Sequence, residues 1–378
     1  MIDNILLFPY YAFLKLRKNM YDKGKLKSEV SPVPAICIGG LAAGGTGKTP
    51  CTEYILSVLL SSKEWKDKSI AVLSRGYKRK SKGFQQVCSD GNVYMFGDEP
   101  MQIKRKFPEV TVAVCRDRAE GCGILANPDS SALSGKGCWR PDFPKADIIV
   151  LDDAYQAREL KAHKTIVLTD YNRPLFKDSL LPLGTLRDLP ERLYDADMVV
   201  VTKCPESMDE DQMRNYASSL GYTEYDVQTC TALTPGGKSQ HLFFAFIEYL
   251  PCEPIDETTD SRYLYAKSII MLTGIAKDTP LLRKLSDRYT IVKKFSLSDH
   301  HNFTSADMRR LDEAAAAYPS SPVVTTEKDK QRLLENKFVS RELFRKTFIA
   351  PIRMKIHGEE QSRIFEREIV SVGDPTRS

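Results

Sequence analysis

"LAAGGTGKTP" occupies residues 41–50, directly after the β-rich run "PAICIGG" at 34–40. The next stretch, "CTEYILSVLLSS" (51–62), places Tyr54, Ile55, Val58 and Leu59 on one side of a helix. Strand, glycine-rich turn, Lys-Thr and helix is the arrangement in which backbone N–H groups and a helix N-terminus face an anion. The spacing predicts a phosphate loop formed by Ala42, Ala43, Gly44, Gly45, Thr46, Gly47, Lys48 and Thr49. In such a loop Lys48 reaches the β- and γ-phosphates of a nucleotide, and Thr49 ligates Mg²⁺. Ala42 stands where the strict pattern has glycine. That is tolerated if position 42 needs no positive φ.

Further apolar runs extend the pattern: "SIAVLSRGY" (69–77), "VTVAVC" (110–115), "ADIIVLDDA" (146–154) and "KTIVLTD" (164–170). Short buried strands alternating with helices predict a parallel α/β sheet, with active residues at the strands' C-terminal ends. Asp152 and Asp153 leave one such strand and are candidates to hold the metal; capping a helix is the alternative use of an Asp there. A helix is expected from Asp117 to Leu125, then a loose surface loop through 126–145. A second α/β series begins near "DMVVVTK" (197–203) and runs through "HLFFAFIEYL" (241–250), "SIIMLTGIA" (268–276), "YTIVKKF" (289–295) and "SPVVTTEKD" (321–329). The expected organisation is a segment 1–30, a core domain 31–195 and a smaller α/β domain 196–378 whose C-terminal tail is able to pack back on the core, the two layers joining around 190–200.

The chain has 378 residues and a net charge of +5, too mild to indicate nucleic acid. Six Lys/Arg against two Asp in residues 1–28 concentrate the surplus at the N-terminus. "MIDNILLFPYYAFLKLRKNM" (1–20) is apolar early and basic late, the reverse of a signal peptide, and too short in its uncharged part to span a bilayer. Ile5, Pro9, Phe13, Leu16 and Met20 share a helical face, with Pro9 able to open the helix. Two readings stand: an amphipathic helix on a membrane surface, or a helix packed on the protein's own core. The nine cysteines form no CxxC pair and no zinc pattern, as expected of reduced thiols.

"SRGYKRK" (74–80), "GDEP" (97–100), "DDAYQAREL" (152–160), "LLPLGTLRD" (180–188), "SDHHNF" (298–303) and "TTEKD" (325–329) follow in that order. Together with "GGTGKTP" and the N-terminal segment, this set closely resembles the tetraacyldisaccharide 4′-kinases over almost the whole chain. The resemblance implies two α/β/α domains, the first like a phosphate-loop NTPase, joined by a strand-like hinge, with an N-terminal amphipathic helix docked on a membrane. It implies ATP and Mg²⁺, and transfer of the γ-phosphate to the 4′-hydroxyl of a tetraacyldisaccharide 1-phosphate in lipid A biosynthesis. The implied place is the cytoplasmic face of the bacterial inner membrane, and the implied state a monomer.

Carried over residue by residue, Asp98 matches the family's catalytic base and His300 its partner from the second domain. If these lie on different domains, closure assembles the site. Glu99 is a second acidic candidate for the metal. Arg75 and Tyr77 match residues lining the nucleotide site, and Arg187 one that offsets charge on the transferring group. "TTEKD" receives no role. The chain departs from the pattern at Gly40, Ala154, Ala157 and Asp188, which replace Asn, Gly, His and Glu. Two other classes remain open: a membrane-recruited ATPase switch with no sugar acceptor, and a soluble kinase of a small metabolite. "VTKCP" (201–205) lacks the aspartate of guanine-reading loops, so guanine specificity is not expected.

Overall fold

The computed structural model describes residues 2–129 and 143–373. Most of the loop expected at 126–145 lies outside the described residues; the helix before it, Arg118–Ala126, is present and capped by Asp117. The chain forms two compact units. The first comprises Met1–Ser89, Ile103–Ile247 and Met354–Ser378; the second comprises Asp90–Gln102 and Glu248–Arg353.

A mainly parallel sheet organises the first unit. Thr111–Val114, Ile70–Ser74, Ile148–Leu151, Ala35–Gly40, Lys164–Asp170, Met198–Thr202 and Ser239–Tyr249 lie side by side in parallel pairs. Ala35–Gly40, Ile70–Ser74, Ile148–Leu151 and Met198–Thr202 are buried at every position. Helices on both faces explain why these runs are continuously apolar rather than alternating. The strand that feeds the phosphate loop sits near the middle of this sheet. The C-terminal ends of its neighbours deliver Arg75, Asp152, Asp170 and Lys203, the end at which ligands bind in open α/β sheets.

The second unit has its own sheet, in the order Glu253–Pro254, Thr347–Ala350, Val323–Thr326, Ser268–Thr273 and Thr290–Ser296. The last four strands run parallel. One face packs Ile270, Leu272, Met308, Leu311 and Ile349; the other packs Ile269, Met271, Leu281, Leu285 and Phe348.

This division corrects the boundary expected at 195/196. Met198–Thr202 pairs in register with Lys164–Asp170, and Ser239–Tyr249 pairs in turn with Met198–Thr202, so both extend the first sheet. The chain leaves the first unit twice, over Asp90–Gln102 and again within Ser239–Tyr249, returning the second time within Ile352–Ile356.

At the N-terminus, Ile2–Asp22 is one helix with Pro9 inside it rather than at its start. Leu7 and Leu14 are buried, while Phe8, Phe13 and Leu16 are exposed. Tyr10 donates to Arg187 O at 3.2 Å, and Lys18 bridges Asp22 and Asp195. The helix therefore docks on the first unit through one face and presents apolar side chains on another. Among the described residues, no helix is long and apolar enough to cross a membrane.

Candidate active site

The phosphate loop takes its shape from three left-handed glycines, Gly44 (φ 70), Gly45 (φ 60) and Gly47 (φ 81). A side chain at these positions would be strained. Ala42 forms a β-bridge with Leu186 instead, and has no left-handed backbone, which is why alanine is accepted there. Gly47 caps Lys48–Ser61, whose first turn holds no acidic side chain. The helix's free N–H groups and positive pole thus meet no competing carboxylate of their own turn.

"LLPLGTLRD" runs beside this loop. Ala43 N–H donates to Thr185 O at 2.7 Å, and Arg187 N–H to Leu41 O at 2.8 Å. Gly184 permits the tight turn: a Cβ there would lie 2.2 Å from Ser179 O. The Arg187 guanidinium consequently reaches Gly40 O at 3.1 and 3.2 Å, and chelates Asp153 with one contact at 3.0 Å. Gln156 Nε2 donates to the same Gly40 carbonyl at 2.8 Å.

Asp153 has a left-handed backbone (φ 50) and lies 3.8 Å from Lys48 Nζ. Burial would raise its pKa, but the Lys48 charge and the Arg187 hydrogen bond outweigh it and hold the carboxyl below its usual range. Asp152 is buried, accepting from Ser74 Oγ at 3.2 Å and from Thr52 Oγ1 at 3.4 Å. Beneath the pair, buried Arg118 donates to the carbonyls of Asp152 and Asp153.

Two further cations flank the loop, and sequence reasoning missed their role. Arg173 donates to Gly44 O at 2.7 Å and to Ala43 O at 3.4 Å. Lys203 pairs with Asp170 at 2.8 Å, its Nζ 3.7 Å from where a Cβ on Gly45 would sit. The signal for Lys203 was present in "VTK" at a strand end; Arg173, far from any motif, gave none. Arg75 and Tyr77 follow the strand Ile70–Ser74 and are both exposed.

In the second unit, the ends of the parallel strands assemble another cluster. His300 Nδ1 lies 2.8 Å from Asp98 Oδ2. Arg332 donates to the same oxygen from Nε at 3.1 Å and from a terminal nitrogen at 2.6 Å. Lys328 Nζ is 3.1 Å from His300 Nε2 and 3.4 Å from Glu99. The expectation that Asp98 and His300 come from different domains is not met. The segment 90–102 belongs with 248–353, and the pair forms inside one unit. Lys328 and Arg332 come from and just after "TTEKD", the motif left without a role.

A family model described as tetraacyldisaccharide-1-P 4′-kinase (LpxK) matches residues 4–369. The chain belongs to this family. The tetraacyldisaccharide 4′-kinase of Phocaeicola vulgatus is 34% identical over 94% of this chain and 90% of its own length. That of Flavobacterium johnsoniae is 36% identical over 89% of each. A crystal structure of the "apo" form of LpxK from Aquifex aeolicus in complex with ATP superposes with a TM-score of 0.67. It is 24% identical and covers 98% of this chain and 99% of that one, a likeness of fold.

Of the positions that depart from the family pattern, Gly40 has a local explanation, while nothing in the structure explains Ala154 or Ala157. At Gly40 a Cβ would lie 3.1 Å from Thr46 Oγ1 and 3.2 Å from Leu168 O, so glycine suits the close packing. Ala154 is buried, its N–H bonded to Ile38 O, and Ala157 closes a turn onto Ala154 O. Asp188 does not face the loop; it is buried against Arg192, which also stacks 4.2 Å from the Tyr155 ring.

Proposed function

We propose that this chain carries out its family's reaction through the residues just described: transfer of the γ-phosphate of ATP to the 4′-hydroxyl of a tetraacyldisaccharide 1-phosphate. The observation that carries the assignment is the loop itself. Three left-handed glycines and a helix N-terminus stand among the cations Lys48, Arg187, Arg173 and Lys203, an environment built for a polyanion.

Thr49, Asp152 and Asp153 offer hard oxygen donors, the donor set that suits Mg²⁺, and would hold it. When bound, the ion neutralises charge on the phosphates. Glu99, the further acidic candidate, pairs with Lys328 at 3.4 Å.

Asp98 acts as the base. Among the described residues its Oδ2 takes every hydrogen bond, leaving Oδ1 to accept the proton of the acceptor hydroxyl. The freed oxygen attacks the γ-phosphorus, and the bond to the β-phosphate oxygen breaks, releasing ADP. Lys48 and Arg187 offset charge on the transferring group. Arg75 and Tyr77 border the nucleotide.

The acceptor is a lipid, and the helix Ile2–Asp22 supports attachment to the cytoplasmic face of the inner membrane. Its exposed Phe8, Phe13 and Leu16, with Lys15 nearby, suit an anionic lipid surface. The protein works there as a monomer.

The test is a transfer assay with γ-labelled ATP and tetraacyldisaccharide 1-phosphate. Wild-type protein labels the lipid; Lys48→Ala loses nearly all transfer, by about 10³-fold or more, because the ammonium matters most in the transition state. Labelled inorganic phosphate without labelled lipid, or near-normal kcat in Lys48→Ala, refutes the assignment.

A further inference from the structure

The base reading leaves a physical question. A carboxylate and an imidazole must be held in one geometry, yet Asp98 opens a helix and His300 sits in a loop with a left-handed backbone (φ 58). Something rigid has to fix both, and the second unit contains it.

Arg332 lies in the helix Glu327–Leu334, which Thr326 caps by accepting from Asp329 N–H. Its guanidinium is almost fully buried and divides its donors between two carboxylates. One terminal nitrogen donates to Asp329 Oδ1 at 3.0 Å and to Gly274 O at 3.3 Å; Nε and the other terminal nitrogen hold Asp98 Oδ2. Asp329 is fully buried and accepts from Gly274 N–H at 2.9 Å and Thr326 Oγ1 at 2.8 Å. His300 N–H donates to Gly274 O at 3.3 Å. Gly274 is thus the common floor, and it is glycine for a reason: a Cβ would lie 2.9 Å from Asp329 Oδ1. Planar, five-donor arginine can span two carboxylates in this way; lysine, a point charge, cannot.

Lys328 adds a second constraint. Its ammonium only donates, so the His300 Nε2 beside it accepts, and the ring proton resides on Nδ1, facing Asp98.

We propose that Arg332 is a positioning residue for phosphoryl transfer, locking Asp98 to the Asp329–Gly274 floor so that only Oδ1 remains for the acceptor, with Lys328 fixing the tautomer of His300. The inference rests on the reading of Asp98 as the base, and its test separates the two. The charged groups around Asp98 are Arg332 and Lys328 on one helix, His300 and Asp299 on the loop, and Glu99 on its own helix.

The experiment compares Arg332→Lys, Asp329→Asn and Asp98→Asn by steady-state kinetics across pH, with ATP binding and thermal unfolding as controls. Arg332→Lys should lower kcat by about 10- to 100-fold, the scale of a misplaced catalytic group, with KM for ATP within about twofold. It should also move the acid limb of kcat/KM upward in pH, because the bidentate clamp that favours ionised Asp98 is weakened. A merely structural residue would lower stability without moving that limb. Asp329→Asn, which loosens the clamp from its far side, should change both readouts in the same direction but less, and answers the question alone if Arg332→Lys does not fold. An inactive Asp98→Asn beside an Arg332→Lys enzyme with wild-type kcat and pH profile overturns the role of Arg332. A fully active Asp98→Asn overturns the base reading beneath it.

Discussion

Asp98 is largely buried and yet ionised. Burial alone would raise its pKa, but hydrogen bonds from His300 and Arg332, with the Arg332 charge, bring it down to about 2 from 3.8. A carboxyl depressed in the folded state stabilises the fold above its unfolded value, and that contribution is lost as pH falls from about 4 through 2. The difference corresponds to about 2 kcal/mol at neutral pH. Asp98→Asn is therefore expected to be less stable than wild type by about that amount at pH 7, with the gap narrowing at about pH 3. Urea unfolding at the two pH values measures it, and an equal gap at both refutes the linkage. At this scale much was legible. Gly44, Gly45 and Gly47 announced a backbone that must turn left-handed, and "GDEP" and "SDHHNF" pointed to Asp98 and His300. Arg332, Lys328 and Arg173 were not legible, because their roles come from approaches across a sheet edge that no local spacing encodes.

Elements were legible wherever burial on both faces left an uninterrupted apolar run, as in "IIVL" or "MVVVT". The N-terminal helix was harder, because it has two apolar faces. The face read from sequence carries Pro9, Phe13 and Leu16, all exposed, while Leu7, Tyr10 and Leu14 turn toward the first unit. Packing uses one side and leaves the other apolar side exposed, so the two sequence-based alternatives are compatible. Phe13→Ser/Leu16→Ser should weaken binding to anionic phosphatidylglycerol vesicles by about tenfold or more, since two bulky apolar groups no longer enter the interface. Thermal stability and ATP affinity in the absence of vesicles should stay at wild-type values, as neither side chain is part of the core. Cosedimentation unchanged by the double substitution would remove the helix from membrane binding.

At the scale of the molecule, the domain boundary escaped sequence reasoning because the first unit is built from three separate stretches of chain. A boundary in sequence cannot mark a unit that the chain leaves and re-enters. The last stretch returns as the helix Glu359–Val370, which lies against the helix that follows the phosphate loop. Tyr54 donates to Glu366 at 2.9 Å, Trp65 Nε1 donates to Val370 O at 2.8 Å, and Lys164 pairs with Glu368 at 2.8 Å. Phe365 is fully buried, its ring 5.1 Å from Phe243 and 5.6 Å from Tyr54. The C-terminal helix is thereby part of the nucleotide-binding core, and its loss should be felt there. Phe365→Ala should destabilise the first unit by about 3–5 kcal/mol, the usual cost of emptying a buried aromatic site. Trp65, buried in that unit, reports it directly once Trp139→Phe removes the second tryptophan. Because two units need not unfold together, the Trp65 transition is the quantity to follow, rather than a global midpoint. Where the variant is fully folded, its KM for ATP should match wild type, since Phe365 lies in the packing of the helix and not at its phosphate end. A Trp65 transition displaced by less than about 1 kcal/mol would mean that the returning segment is an appendage and not a structural layer of the kinase core.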